Sequence, residues 1–196
     1  MRLLAIDFEA TCDEPYNPDP QEVIEFPAVL VDPGGRTAEF HSYVRPTAHP
    51  KLSSFCQKLT GITQGQVDLA PPFPDVLRQF EEWRLKTCPD ALVVTSGNWD
   101  LASMLPRACA QHRLEVPKWA DRWADMKQLY AENYPRGSDR STQTEIASGV
   151  GVALEGRLHS GIDDARNIAR VVRRMMEQGV IPENTALWRC SGCGGE

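Results

Sequence analysis

The chain opens on an apolar run, Leu3-Leu4-Ala5-Ile6, which Asp7-Phe8-Glu9 interrupts. Strand side chains alternate, so residues 7 and 9 face one way and Ile6, Phe8 and Ala10 the other. A first strand is expected over residues 3–9. A second follows over 22–31, with Val23-Ile24 and Val29-Leu30-Val31 as apolar patches, and Asp32-Pro33-Gly34-Gly35 is a strong turn after it. Residues 38–44 alternate and predict a third strand, closed by Pro46. Three sequential strands joined by turns predict an antiparallel meander.

Helical periodicity then takes over. Residues 53–59 read as a short helix ending at Gly61. After the Pro71-Pro72 breaker, Val76, Leu77, Phe80 and Trp83 recur at helical spacing and predict a helix over 75–86. Residues 91–95 form a buried strand that runs into Ser96-Gly97-Asn98-Trp99-Asp100. Further helices are expected over 101–113, over 121–134 with Trp123, Met126, Leu129 and Tyr130 as the apolar stripe, and over 143–149. The last, over 163–177, turns Ala165, Ile168, Ala169, Val172, Met175 and Met176 inward. A meander followed by strands alternating with helices is a mixed α/β layout. The chain divides into one domain over 1–180 and a tail over 181–196.

A length of 196 residues suffices for one domain with a sizeable core, and 41% hydrophobic residues favour folding over disorder. No apolar stretch is long enough to span a membrane, and the first apolar run is too short for a secretory leader. A cytoplasmic location is therefore expected. Four of the six cysteines, Cys12, Cys56, Cys88 and Cys109, stand alone, which suits reduced thiols. Cys190-Ser-Gly-Cys193 reads either as half of a zinc site without a second ligand pair or as a tail whose thiols oxidise.

The candidate chemistry lies in the acids. Two carboxylates side by side on a core strand repel each other and resist desolvation. A divalent cation relieves both problems, and hard cations such as magnesium prefer oxygen ligands. Asp100 follows the buried strand, and Asp164 opens the last helix in the sequence His159-Ser-Gly-Ile-Asp-Asp164. Four carboxylates suit two magnesium ions, and a neutral imidazole at His159 suits a general base for hydrolysis of a phosphodiester. The Ser160-Gly161 neighbours predict a mobile loop around this histidine. The net charge of −6 argues against broad, tight duplex binding, but two divalent ions would bring it to −6 + 4 = −2. Taken singly, each element has a plainer reading. Asp7 and Glu9 fit a solvent-facing edge strand, Asp100 a helix cap, Asp164 a first-turn acid, and His159 an ordinary loop histidine.

In their joint order these residues resemble the DEDDh 3′→5′ exonucleases of the ribonuclease-H-like fold. Those proteins carry Asp-x-Glu in the first strand, Asp after a later strand and His-x4-Asp at the last helix. Ile6-Asp7-Phe8-Glu9-Ala10-Thr11-Cys12, Ile24-Glu25-Phe26-Pro27, Tyr43-Val44-Arg45-Pro46, Leu59-Thr60-Gly61-Ile62-Thr63, Gly97-Asn98-Trp99-Asp100 and 161–170 are similar to one branch of that family. It contains the histone-mRNA 3′ exonuclease and the RNA-interference-enhancing exonucleases. The resemblance implies a mixed sheet with an antiparallel three-strand meander and helices on both faces. It implies two Mg2+ or Mn2+ ions on Asp7, Glu9, Asp100 and Asp164, with Glu9 and His159 catalytic and His159 the general base. It further implies that Glu9 and the backbone at Ala10 grip the terminal 3′ hydroxyl, and that Phe55, Leu59 and Trp99 pack near the last bases, where aromatic stacking is tolerant of sequence. The implied reaction releases nucleoside 5′-monophosphates from single-stranded or overhanging RNA.

Some alternatives stay open. Phe55 and Leu59 also read as ordinary core. Arg136 and Arg140 read as phosphate contacts or as solvated surface, and Arg173 and Arg174 as the outer face of the last helix alongside Arg166 and Arg170. A DNA-directed trimming exonuclease and a binding adaptor on a silent nuclease fold are the rival functions.

Overall fold

The computed structural model describes residues 1–34 and 36–182 together with the backbone of 186–187. Cys190 and Cys193 lie outside the described residues. Strand β1 (Leu3–Ile6) is buried along its whole length, between an antiparallel β3 (Val23–Val31) and a parallel β5 (Leu92–Thr95). A central strand covered on both faces reads as continuously apolar, as Leu3-Leu4-Ala5-Ile6 does. Leu4 and Ile6 join a cluster with Phe26, Phe80, Leu101 and Trp123. Leu3 and Ala5 join another with Met126, Ile146, Ile168 and Val172. The alternation of one strand thus feeds two cores, one on each face of the sheet.

With β2 (Glu9–Ala10), β6 (Arg122–Asp125) and β7 (Ala186–Leu187), the sheet order is β2-β3-β1-β5-β6-β7, and β4 (Glu39–Tyr43) is also on β3. Strand β2 (Glu9–Ala10) pairs antiparallel with β3, which pairs antiparallel with β4 in turn, so the expected meander is present. Helices α3 (Phe73–Thr87) and α4 (Leu105–Gln111) cover one face. Helices α5 (Met126–Asn133), α6 (Gln143–Val150) and α7 (Gly161–Glu177) cover the other. The short α1 (Ser54–Thr60) and α2 (Gln64–Asp68) flank a third cluster around Ile24, Leu52, Cys56, Ile62 and Val67. Among the described residues no helix is long and apolar enough to cross a membrane.

The structure corrects several expectations. The helix over 121–134 begins only at Met126; residues Arg122–Asp125 are strand β6. Trp123 lies three residues before Met126 and so mimics a helical stripe, but Trp123 and Ala124 pack into opposite cores, the alternation of a strand. Asp125 then caps α5 by accepting the Lys127 N–H at 2.8 Å. The helix over 101–113 starts instead as a π-helix over Trp99–Met104 before α4. Helix α2 was not expected, since five residues are too few to show a period; its signal was the capping box of Thr63 and Gln66. Within the expected tail, β7 (Ala186–Leu187) pairs with β6.

Glu22, at the start of β3 and 5% exposed, clasps the loop after β4. Its carboxylate accepts the N–H groups of Thr47 at 2.6 Å, Ala48 at 3.0 Å and His49 at 2.8 Å, and the Thr47 hydroxyl at 3.0 Å. Burial pushes the carboxyl pKa up, but the amides of Ala48, His49 and Thr47 outweigh it and hold the value below normal. A depressed carboxylate contributes stability that is present above its unfolded value and lost as pH falls through the folded one. Glu22→Gln is therefore expected to lose about 2 kcal/mol at neutral pH, the scale of hydrogen bonds to a charged acceptor. Between neutral and acid pH the gap to wild type should narrow, as the pH falls below the ordinary glutamate range and through the depressed folded value, where wild type itself takes up the proton. Denaturant unfolding at both pH values checks this, and a gap that ignores pH would contradict it.

Candidate active site

Between β1 and β2 the ladder breaks. Asp7 and Phe8 belong to neither strand, and the register on β3 shifts between Glu9 and Ala10. The break frees the Phe8 amide from sheet pairing, and it donates to Asp100 Oδ1 at 2.7 Å. Asp100 is 4% exposed on the π-helix, just after β5. Its carboxylate thus reaches across to the Phe8 amide, between the first two strands. Gly97 turns the chain there with φ of 106°, and its N–H donates to Asp125 Oδ1 at 3.0 Å. A positive φ of this kind is where glycine is favoured.

Asp164 lies in the first turn of α7 and is 6% exposed. Ligand oxygens of Asp7, Glu9 and Asp164 all lie within 4.8 Å of one another. Residues 7, 9 and 164, read as distant acids in sequence, thus converge, with Asp100 beside them through Phe8.

Each carboxyl is disfavoured as an anion. Burial first, then Asp100, Asp164, Glu9 and Glu25, holds Asp7 well above the carboxylate range. Burial, followed by Glu25 and Asp164, raises Glu9 to about 9. Burial raises Asp100 to about 7 against the opposing Phe8 amide, and Asp164 to about 6 against the opposing His159 amide. Asp164 Oδ1 is buried without a hydrogen-bond partner. An all-carboxylate donor set, crowded, desolvated and with an orphan oxygen, fits a hard divalent cation that neutralises the charge and ligates the orphan.

His159 is exposed and has φ of 61°. The loop that carries it is pinned where the sequence predicted mobility. The His159 N–H donates to Asp164 Oδ2 at 2.7 Å, the Arg157 N–H to Asp163 Oδ2 at 3.0 Å, and the Arg157 guanidinium to the Lys58 carbonyl at 2.6 Å. The last bond ties the histidine loop to α1. Phe55 and Leu59, one turn apart on α1, are half-buried and belong to none of the three apolar clusters. Trp99 is 41% exposed and Ala10 is buried on β2.

The last-helix arginines are mostly engaged. Arg166 binds Glu39 at 2.7 and 3.0 Å and Asp163 at 3.1 Å, and Arg170 pairs with Glu155. Arg173 and Arg174 are exposed on the outer face, as expected. Sequence reasoning passed over Glu25, which is buried beside the site. Its signal was the one that marked Asp7 and Glu9, an acid inside a buried strand.

The exonuclease family RNase_T matches residues 4–172. The chain belongs to this exonuclease family. It is 39% identical over 184 residues to human 3′-5′ exoribonuclease 1, covering 90% of this chain and 53% of that protein. It is 36% identical over 200 residues to the 3′-5′ exonuclease Snipper of Drosophila melanogaster, covering 91% of this chain and 70% of that one. The solved nuclease domain of 3′hExo, a DEDDh family member bound to rAMP, superposes with a TM-score of 0.89 at 36% identity, over 95% of this chain and 96% of that one. The chain spans about half the length of the exoribonuclease 1 relatives it matches, at 53%. The exonuclease branch read from the sequence and its ribonuclease-H-like α/β fold are thus both present, and the DEDDh exonuclease fold implies dependence on divalent metal.

Proposed function

We propose that this chain removes nucleotides from the 3′ end of single-stranded or overhanging RNA and releases nucleoside 5′-monophosphates. The observation that carries the reading is the convergence of Asp7, Glu9 and Asp164 oxygens within 4.8 Å. The names of the relatives, 3′-5′ exoribonuclease 1 among them, and the rAMP-bound domain support RNA as the substrate class.

Asp7, Glu9, Asp100 and Asp164 would hold two Mg2+ or Mn2+ ions. Bound there, such ions lower the pKa of coordinated water and stabilise charge on the attacking and leaving oxygens. Glu9 and the Ala10 backbone receive the 3′ hydroxyl of the terminal nucleotide. His159, whose backbone N–H binds Asp164, supplies the imidazole that accepts the proton of the attacking water. Phe55, Leu59 and Trp99 give the last bases an apolar and aromatic surface without base-edge readout.

The test is degradation of 3′-labelled and 5′-labelled single-stranded RNA and of matched DNA, in magnesium and in EDTA. The expected result is labelled mononucleotide from the 3′ label, a shrinking ladder from the 5′ label, and neither in EDTA. Faster loss of DNA would reassign the substrate. Binding without cleavage, unchanged by EDTA, would replace the nuclease with a nucleic-acid-binding adaptor.

A further inference from the structure

Glu25 places its carboxyl group in the crowded acidic corner formed with Asp7, Glu9 and Asp164. It is the register partner of Glu9 across β2 and β3, and its side chain is 2% exposed. It raises the pKa of Asp7, Glu9 and Asp164. A glutamate with only a packing duty would be disfavoured here, and the bonds it makes indicate a different duty.

Glu25 Oε2 accepts the Gly161 N–H at 3.0 Å, and Oε1 accepts the Ile162 N–H at 3.2 Å. These are the first two amides of α7, which no bond within the helix can satisfy. The residue in the capping position, Ser160, makes no side-chain cap bond. A carboxylate on a neighbouring strand does that work and adds charge at the positive end of the helix. His41 Nε2, on β4, lies 2.7 Å from Oε1 and holds the carboxylate from behind.

The helix start is also wedged. A Cβ on Gly161 would lie 2.8 Å from the Asp7 carbonyl oxygen and 3.0 Å from Glu25 Oε2. Any side chain there would push α7 away from Asp7. Asp164 sits three residues further along the helix, and its carboxylate holds the His159 backbone.

We propose that Glu25 is a positioning residue for catalysis: by gripping the first turn of α7 it sets where Asp164 and His159 stand relative to Asp7 and Glu9. The inference rests on the metal-dependent reading above. It assigns Glu25 no contact with metal or RNA. Partners that orient the direct ligands of a metal typically change its affinity or the activity by about 10–100-fold when mutated.

The experiment compares wild type and Glu25→Gln by Mn2+ calorimetry and by steady-state kinetics on a short RNA. The amide keeps the shape but places an N–H donor against the helix amides. The expected result is a rise of about 10–100-fold in the Mn2+ Kd and a matching fall in kcat. KM for RNA should stay within about threefold, because the base-binding surface on α1 is untouched. A purely structural role would lower Tm and leave the Mn2+ Kd of the folded fraction unchanged, and that result would overturn the proposal. Should Glu25→Gln fail to fold, Gly161→Ala decides, since it keeps every charge and displaces only the helix start. The same loss of Mn2+ affinity supports the proposal, and an unchanged Kd overturns it. Wild type that binds no Mn2+ would instead sink the metal-dependent reading itself, so the two failures are distinct.

Discussion

Asp7→Asn is expected to lower RNA degradation by about 10^3-fold or more, beyond the 10–100-fold typical of residues that only orient a ligand. Burial and four neighbouring carboxyls all oppose the charge of Asp7. Asparagine keeps the volume and one acceptor oxygen but removes that charge. The folded pKa of Asp7 is raised, so its ionisation costs stability as pH rises above the usual carboxylate range. In EDTA at neutral pH the variant should therefore melt no lower than wild type. Added magnesium should raise the Tm of wild type and leave that of the variant nearly unchanged. Initial rates and melting curves measured on one preparation separate loss of chemistry from loss of fold. Activity retained within tenfold of wild type would remove Asp7 from the centre of the mechanism.

Replacing the imidazole at residue 159 should cost about 10^2–10^4-fold in kcat, the usual contribution of a positioned general base. The choice of variant follows from the backbone. Residue 159 has φ of 61°, a region in which asparagine is among the more tolerant side chains. Its N–H, not its ring, holds Asp164. His159→Asn therefore removes the base while keeping the bond that places the ligand. Mn2+ affinity should be preserved and kcat should fall. A variant that keeps its rate would move the base elsewhere.

These two residues were legible in the sequence because each breaks a local pattern. An acid at position 7 ends an apolar strand, and His159 precedes a helix with an amphipathic stripe. Asp100 was legible by type but not by geometry, since nothing local shows that its carboxylate would reach the Phe8 amide 92 positions away. Trp123 was assigned to a helix because one residue three positions before Met126 cannot distinguish a helical period from a strand that ends there. Glu25 shares that limit: an acid inside a buried strand marks its type, but nothing local shows where its carboxylate reaches. Its partners, Gly161 and Ile162, lie 136 and 137 positions along the chain and offer only backbone N–H groups, which leave no mark in a sequence. Patterns of period two and 3.6 expose which face is buried. They are blind to a carboxylate whose partner is main chain on another element.

The π-helix has a consequence for how this chain is compared with others. Its turn closes from the Leu105 N–H back to the Asp100 carbonyl, five residues instead of four. One surplus residue turns everything before it by about 100° around the axis relative to α4. Trp99 and Asp100 owe their directions, one outward and one toward the broken strand, to that surplus. An alignment that runs through 99–104 without a gap, against a chain whose helix is α throughout, pairs the right letters in the wrong orientation. Deletion of a single residue from this turn would be a rotation before it was a loss.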